Sequence, residues 1–219
     1  MIERSRTILV AALLLIALGA CAESVVLSGK LAEAWSWRRE NPAAWRIRDD
    51  ALEIRIEPGN MWGPANDARN VLVRRLEGIS LTQEIRVSVT VSNKPTGQYE
   101  QVDLVWYYDD SHMVKIGQEM VDGKLSIVMG REEKDRTRTI AIIPIEALQV
   151  DLRLVTTNDI IRGAFRTSGA KGWREAGSCD LPVNGRPHVA IQCYQGPATA
   201  EHWARITDFQ LSARPRADE

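Results

Sequence analysis

The chain has 219 residues, 44% of them apolar and 26% charged, with 28 basic groups set against 29 acidic ones. That near balance gives no electrostatic basis for a nucleic-acid partner or for attachment to a membrane by charge alone. The length is ample for one domain with a sizeable core.

The first element, in "MIERSRTILVAALLLIALGAC", places Arg4 and Arg6 ahead of an apolar run from Ile8 to Leu18. This run is too short for a spanning helix and has the layout of a signal peptide over residues 1–20. Leu18-Gly19-Ala20-Cys21 resembles the bacterial lipobox. The resemblance implies cleavage before Cys21 and a diacylglyceryl thioether on its sulfur, with ordinary cleavage after Ala22 as the alternative. Two or more buried acyl chains suffice for stable attachment, so the expectation is a lipoprotein tethered to the bacterial cell envelope. Ala22 stands where enteric inner-membrane lipoproteins carry aspartate, which favours the outer membrane or the periplasmic face.

Residues 21–33 read as a tether and first strand, 34–213 as the folded body and 214–219 as a disordered polar tail. The body is a succession of short alternating segments in chain order: "ALEIRIEP", "NVLVRRL", "TQEIRVSVTV", "KLSIVMGRE", "RTIAIIPI", "QVDLRLVTT", "DIIRGAFRT", "HVAIQCY" and "RITDFQLSA". Turn signals such as Lys94-Pro95-Thr96-Gly97, Thr157-Asn158-Asp159 and Asn184-Gly185 separate them. The pattern predicts an all-β sandwich of two antiparallel sheets. "IEALQ", residues 145–149, is the single segment expected to form a helical turn, and "REEKDRTR" is expected to be a solvated hairpin tip.

"EQVDLVWYYDDSHMVKIGQE", residues 100–119, predicts two strands joined at Asp109-Asp110. Side chains alternate across a strand, so Val102, Leu104, Trp106 and Tyr108 make a core face while Gln101, Asp103, Val105 and Tyr107 share the other. On the return strand Val114, Ile116 and Met120 face the core, and Lys115, Gly117 and Glu119 meet the polar set across the hairpin. The spacing therefore predicts a polar stripe on one sheet surface. It marks either a binding groove or ion pairs of Lys115 with Asp103 or Glu119 on an open sheet.

Four collinear blocks carry a wider resemblance: residues 35–74, the hairpin around "YEQVDLVWYYDDSHMVKIGQE", "GAFRTSGAKGWRE" and "WARITDFQLS". Together they resemble the concanavalin A-like sandwich found as the C-terminal domain of family 43 β-xylosidases, and an uncharacterised family named for regulation of enolase. The resemblance implies a two-sheet jelly roll whose concave side meets sugars in relatives. It does not imply catalysis, because that domain is accessory to a separate catalytic one. Asp103 departs from the family pattern at a position expected to be small.

Carbohydrate binding needs planar side chains to stack on sugar faces and paired polar groups for vicinal hydroxyls. Trp62, in the loop-forming "PGNMWGPANDARN", is the expected platform, or else a plug over the end of the sandwich. Asn66 and Asn70 could ring the mouth, Gln101, Asp103, Lys115 and Glu119 supply the stripe, and Trp173 follows a glycine-rich turn. Glycoside hydrolysis would need two carboxyl groups on one face, one of them protonated. Asp103 and Glu119 are the pair to test, but Lys115 beside them is expected to keep both charged. Glu53 and Glu57, with Arg55 between them, read as a solvated strand surface. No catalytic residue is assigned, and no metal or cofactor is expected, since the histidines lie at no ligand spacing and no acidic run resembles an oxygen cage. Cys179 and Cys193 are expected to form a disulfide in an oxidising compartment. The reading is a non-catalytic carbohydrate-binding domain on a lipid anchor. A glycoside hydrolase and an envelope docking module are the alternatives.

Overall fold

The computed structural model describes residues 24–215. The leader over 1–20, Cys21 and the tail over 216–219 lie outside the described residues. Sixteen strands follow in order: β1 (Val26–Leu27), β2 (Lys30–Leu31), β3 (Trp35–Arg38), β4 (Trp45–Arg48), β5 (Ala51–Arg55), β6 (Val71–Arg75), β7 (Glu84–Ser92), β8 (Gln101–Asp109), β9 (His112–Val121), β10 (Lys124–Glu133), β11 (Arg136–Pro144), β12 (Gln149–Thr157), β13 (Ile160–Thr167), β14 (Arg174–Asp180), β15 (His188–Tyr194) and β16 (Trp203–Arg214). After a short β1-β2 ladder, they form two seven-stranded sheets. The first runs β11-β10-β9-β8-β15-β6-β3 and the second β14-β13-β12-β7-β16-β5-β4. Every pairing is antiparallel, as the short alternating segments require.

The period-two pattern puts one apolar row of each strand between the sheets. Ile85, Val87, Val89 and Val91 of β7 and Val150, Leu152 and Leu154 of β12 meet Val102, Leu104 and Trp106 of β8, Val114 and Ile116 of β9, and Val189 and Ile191 of β15. The second sheet turns its polar row to solvent. The first does not: every residue from Gln101 to Tyr108 is buried, on both faces of β8. The cover is the loop 56–70, whose Met61 and Ala68 close a second cluster with Val71, Val73, Val105, Tyr107, Met113, Ala190 and Tyr194. Gly59 makes this loop possible, because its φ of 125° lies outside the range of other residues and a Cβ there would sit 2.9 Å from Ala68 Cα.

Two expectations are corrected. Residues 145–149 form no helical turn; the side-chain amide of Gln118 donates to the carbonyls of Ala147 and Leu148, each at 3.1 Å, and holds them as an extended connection. The one helical turn among the described residues is the 3₁₀ turn Pro42–Ala44, capped by Asn41. Cys179 and Cys193 are both free and buried. Cys179 lies on β14, the edge of the second sheet, which packs over β11 and β10 of the first. Cys193 lies on β15, three strands beyond β10. At about 4.8 Å per strand the two thiols fall well outside the roughly 7 Å that a disulfide spans. Burial pushes the Cys179 thiol up to about 11 and Cys193 well above its ordinary value, so neither is a reactive thiolate.

The packing yields a direct expectation. Truncating Leu104, which is fully buried, to Ala should destabilise the domain by about 2–5 kcal/mol in urea unfolding, the range for a core cavity. The same change at the half-exposed Ile142 should cost under about 0.5 kcal/mol.

Candidate functional site

The β8–β9 register sets Gln101 opposite Glu119, Asp103 opposite Gly117 and Val105 opposite Lys115. All six therefore share the outer face of the first sheet with Tyr194, which pairs with Gln101 from β15. Lys115 extends across this face. Its ammonium donates to Gln101 Oε1, to Glu119 Oε2 at 3.1 Å and to the Tyr194 hydroxyl at 3.2 Å, and stands 3.7 Å from Asp103 Oδ2. Lys115 is 2% exposed and Asp103 0%, so the stripe is no decorated open surface. Asp103 fits because its partner is glycine: a Cβ at Gly117 would lie 1.7 Å from Asp103 Oδ1.

Burial of a charge is expensive unless it is paired, and the cluster contains one ammonium and two carboxyl groups. Burial disfavours the Lys115 ammonium, but Asp103, Tyr194 and Glu119 around it raise its pKa and keep it charged. Asp103 moves the other way from the expected ionised state. Burial raises its pKa to about 7 against the pull of Lys115, with Glu119 adding to the rise. A single positive charge neutralises one carboxylate well in a dry site, and the second then keeps its proton near neutrality.

Above the cluster the loops form a cavity of about 530 Å³, lined by Asn60, Trp62, Tyr99, Gln101, Lys115, Glu119, Asp122, Thr139, Ile142 and Gln195 among others. Trp62 lies on the sheet over Gly130, where a Cβ would come within 2.4 Å of the indole. Its ring centroid is 5.0 Å from Lys115 Nζ, a cation–π contact. Asn60 fixes the loop through hydrogen bonds to the Trp62 backbone in both directions, and Gly63 N–H donates to Glu132 Oε2 at 3.1 Å. Burial raises Glu132 to about 7, opposed by that N–H.

Tyr99 supplies the opposite wall with an exposed ring on a backbone of φ 65°. The strained turn is held by Tyr99 N–H on the Met120 carbonyl and by Gln101 Nε2 on the Tyr99 carbonyl, both at 2.7 Å. Buried Glu100 secures the same loop, accepting from Thr96 N, Gly97 N and His202 Nδ1. Gln101 thus joins the Lys115 cluster to the Tyr99 turn with both ends of its amide.

Of the residues singled out from sequence, Trp62, Gln101, Lys115 and Glu119 line this cavity, and Asp103 lies beneath it. The others lie elsewhere. Asn70 is buried at φ 51°, accepting from Asn41 N at 2.7 Å and donating to Asn41 O, so its amide fastens the covering loop to the 3₁₀ turn. Asn66 sits on that loop outside the cavity lining. Trp173 belongs to the other sheet's outer face, packed against the guanidinium groups of Arg153 at 4.1 Å and Arg166 at 5.1 Å. Glu53 and Glu57 are engaged there too, by Arg46, Arg205 and Arg55. Among the described residues no group of three His, Cys, Asp or Glu side chains is placed to hold a metal ion. Tyr99, Tyr194, Asn60 and Gln195 were not evident from sequence. Tyr194 had a usable signal, since alternation along "HVAIQCY" sets it opposite Cys193 and on the same face as Gln192 and Ala190.

The solved structures similar to this chain include the GH43 protein BlXynB of Bacillus licheniformis, at 20% identity and a TM-score of 0.73 over 85% of this chain. The chain spans 38% of that protein's length. A functionally unknown protein from Saccharomyces cerevisiae is similar at 17% identity and a TM-score of 0.64, covering 83% of this chain and 97% of its own. The carbohydrate-binding module CBM66 of Bacillus subtilis follows at 10% identity and a TM-score of 0.54, over 82% of this chain and 95% of the module. No curated protein matches the chain. At these identities the structural likenesses establish the fold, while the sequence profile of the β-xylosidase C-terminal concanavalin A-like domain matches residues 27–196. With that match over most of its length, the chain belongs to the family of β-xylosidase C-terminal concanavalin A-like domains.

Proposed function

We propose that this domain binds a glycan, or a similar polyhydroxyl ligand, in the cavity between Trp62 and Tyr99 without turning it over, and that a lipid on Cys21 holds it at the bacterial envelope. The observation that carries the reading is the cavity's composition. Two aromatic rings stand beside a fixed amide, a carboxylate and an ammonium in a space of about 530 Å³, within the range of small-ligand sites. Family membership and the likeness to a carbohydrate-binding module support it. Non-catalytic binding is favoured by the placement of Asp103. Its carboxyl has the raised pKa of a general acid, yet it is fully buried behind Lys115 and Gly117 and does not line the cavity.

That same pKa is the one observation favouring a glycoside hydrolase with Asp103 as acid and Glu119 as base. Reducing sugar released from plant and bacterial polysaccharides, and abolished by Asp103→Asn, would establish the hydrolase instead.

Lys115 is a poor probe of binding, because its removal would leave buried carboxylates uncompensated and cost about 3–5 kcal/mol of stability. Tyr99 is better placed. Tyr99→Asn keeps a residue that tolerates positive φ while removing the ring. It should weaken binding to whichever polysaccharide of the panel binds in calorimetry by about 1–3 kcal/mol, with unchanged stability, the loss expected from an aromatic anchor. Undiminished affinity would place the ligand elsewhere.

The anchor has its own test. Cys21→Ser should abolish incorporation of a fatty-acid analogue and either block processing or release a soluble product, because a serine oxygen cannot replace the thioether. Equal labelling of the two proteins would refute the anchor.

A further inference from the structure

The chain joins the core at Val25, which is 3% exposed and whose carbonyl accepts from Ala32 N at 3.0 Å, while the Ala32 carbonyl accepts from Trp35 N at the start of β3, also at 3.0 Å. The folded body therefore begins only four residues after Cys21. Fully extended, four steps span about 14 Å at ~3.5 Å each.

The start of β3 pairs with the end of β6, and the antiparallel register carries this same end through the rest of both sheets. Gathered here are the loop 76–83, the β12–β13 turn and the loop 181–187. They are tied to one another. Arg186 donates to the Leu76 carbonyl at 2.5 Å, and Leu181 N donates to the Asp159 carbonyl at 2.8 Å. Each carries an exposed aliphatic side chain: Leu81 at 43%, Ile160 at 39% and Val183 at 61%. Exposed charges at this end are of both signs, with Lys134, Arg136 and Arg186 beside Glu77, Asp135 and Asp159, so it has no charge preference of its own. The cavity opens toward the opposite end, beside Tyr99 and Asp122. The ten residues of β10 between the two ends span about 33 Å at ~3.3 Å per residue.

We infer that the end bearing Leu81, Ile160 and Val183 rests on the lipid surface, and that the Trp62–Tyr99 cavity is held away from it, open to the aqueous phase. The inference rests on the lipid at Cys21. A tether of about 14 Å cannot carry the far end of a body about 33 Å long to the bilayer while the near end stays free. The three aliphatic side chains are then the groups that enter the headgroup boundary, where apolar surface leaves water. The membrane contact would be apolar and insensitive to salt.

The test uses the full chain, purified from membranes with its N-terminus intact and reconstituted in phosphatidylethanolamine–phosphatidylglycerol vesicles that contain a lipid quencher near the headgroups. A polarity-sensitive fluorophore is attached at Val183→Cys in one protein and at Asp122→Cys in another; the buried Cys179 and Cys193 do not compete for label. The Val183→Cys probe should be quenched several-fold more strongly than the Asp122→Cys probe, unchanged in high salt. Equal quenching, or the reverse order, in protein that floats with the vesicles would overturn the orientation and leave the anchor standing. Protein that fails to float would overturn both.

Discussion

The outer face of the first sheet is organised around one buried ammonium. Lys115 is a long, strongly hydrated cation, and taking it out of water costs several kcal/mol unless every donor finds an acceptor. β9, β8 and β15 deliver those acceptors from one cross-strand row, Glu119, Gln101 and Tyr194 in turn. The indole of Trp62 caps the assembly. Two glycines are consequences of the same constraint: Gly117 leaves space for Asp103, and Gly130 leaves space for the outer edge of the indole's six-membered ring. Gln101 passes the order outward, since its other end fixes the carbonyl of the strained Tyr99 turn.

Charge accounting then shapes what the site can do. With Lys115 held positive and one carboxylate opposite it, a second negative charge in the same dry volume is unfavourable, and Asp103 titrates near 7 rather than near its ordinary acidic value. A neutral, rigid floor beneath two aromatic walls suits recognition of uncharged hydroxyl groups. The acid with a shifted pKa sits below that floor instead of in it. The Lys115 ammonium is held by Gln101, Glu119 and Tyr194, which fixes these groups in place before any ligand arrives.

Much of this was legible in the sequence, because alternation is a strict geometric rule. Gln101, Asp103, Lys115 and Glu119 fall on one face and Val102, Leu104, Trp106 and Ile116 on the other, as parity along two strands demands. What parity cannot convey is whether a face is covered. The loop 56–70 buries the stripe, and this burial raises the Asp103 pKa to about 7 against the pull of Lys115 that was expected to keep it ionised. Loop residues were harder to place. Asn70 and Trp173 have types suited to sugar contact, but Asn70 is consumed by backbone groups of Asn41, and Trp173 by arginines of the other sheet. The two cysteines were paired on grounds of compartment alone, whereas strand order sets them on different sheets, three strands apart. The 145–149 segment has helix-forming residues, yet its carbonyls are captured by Gln118 from across the sandwich.

The central claim is that Asp103 carries a proton in the folded state near neutral pH beside the charged Lys115, and the pH dependence of stability tests it most directly. A carboxyl whose pKa rises from 3.8 in the unfolded chain to about 7 in the folded one binds more protons when folded. Its contribution is fully present below about 4 and is lost as pH rises toward and through 7. Urea unfolding of wild type and Asp103→Asn between pH 4 and 8 isolates this group, since asparagine mimics the protonated acid in shape. The account predicts that wild type loses stability relative to Asp103→Asn as pH rises across that window. Parallel curves, or a wild type that gains on the variant with rising pH, would mean that Asp103 is ionised in the fold.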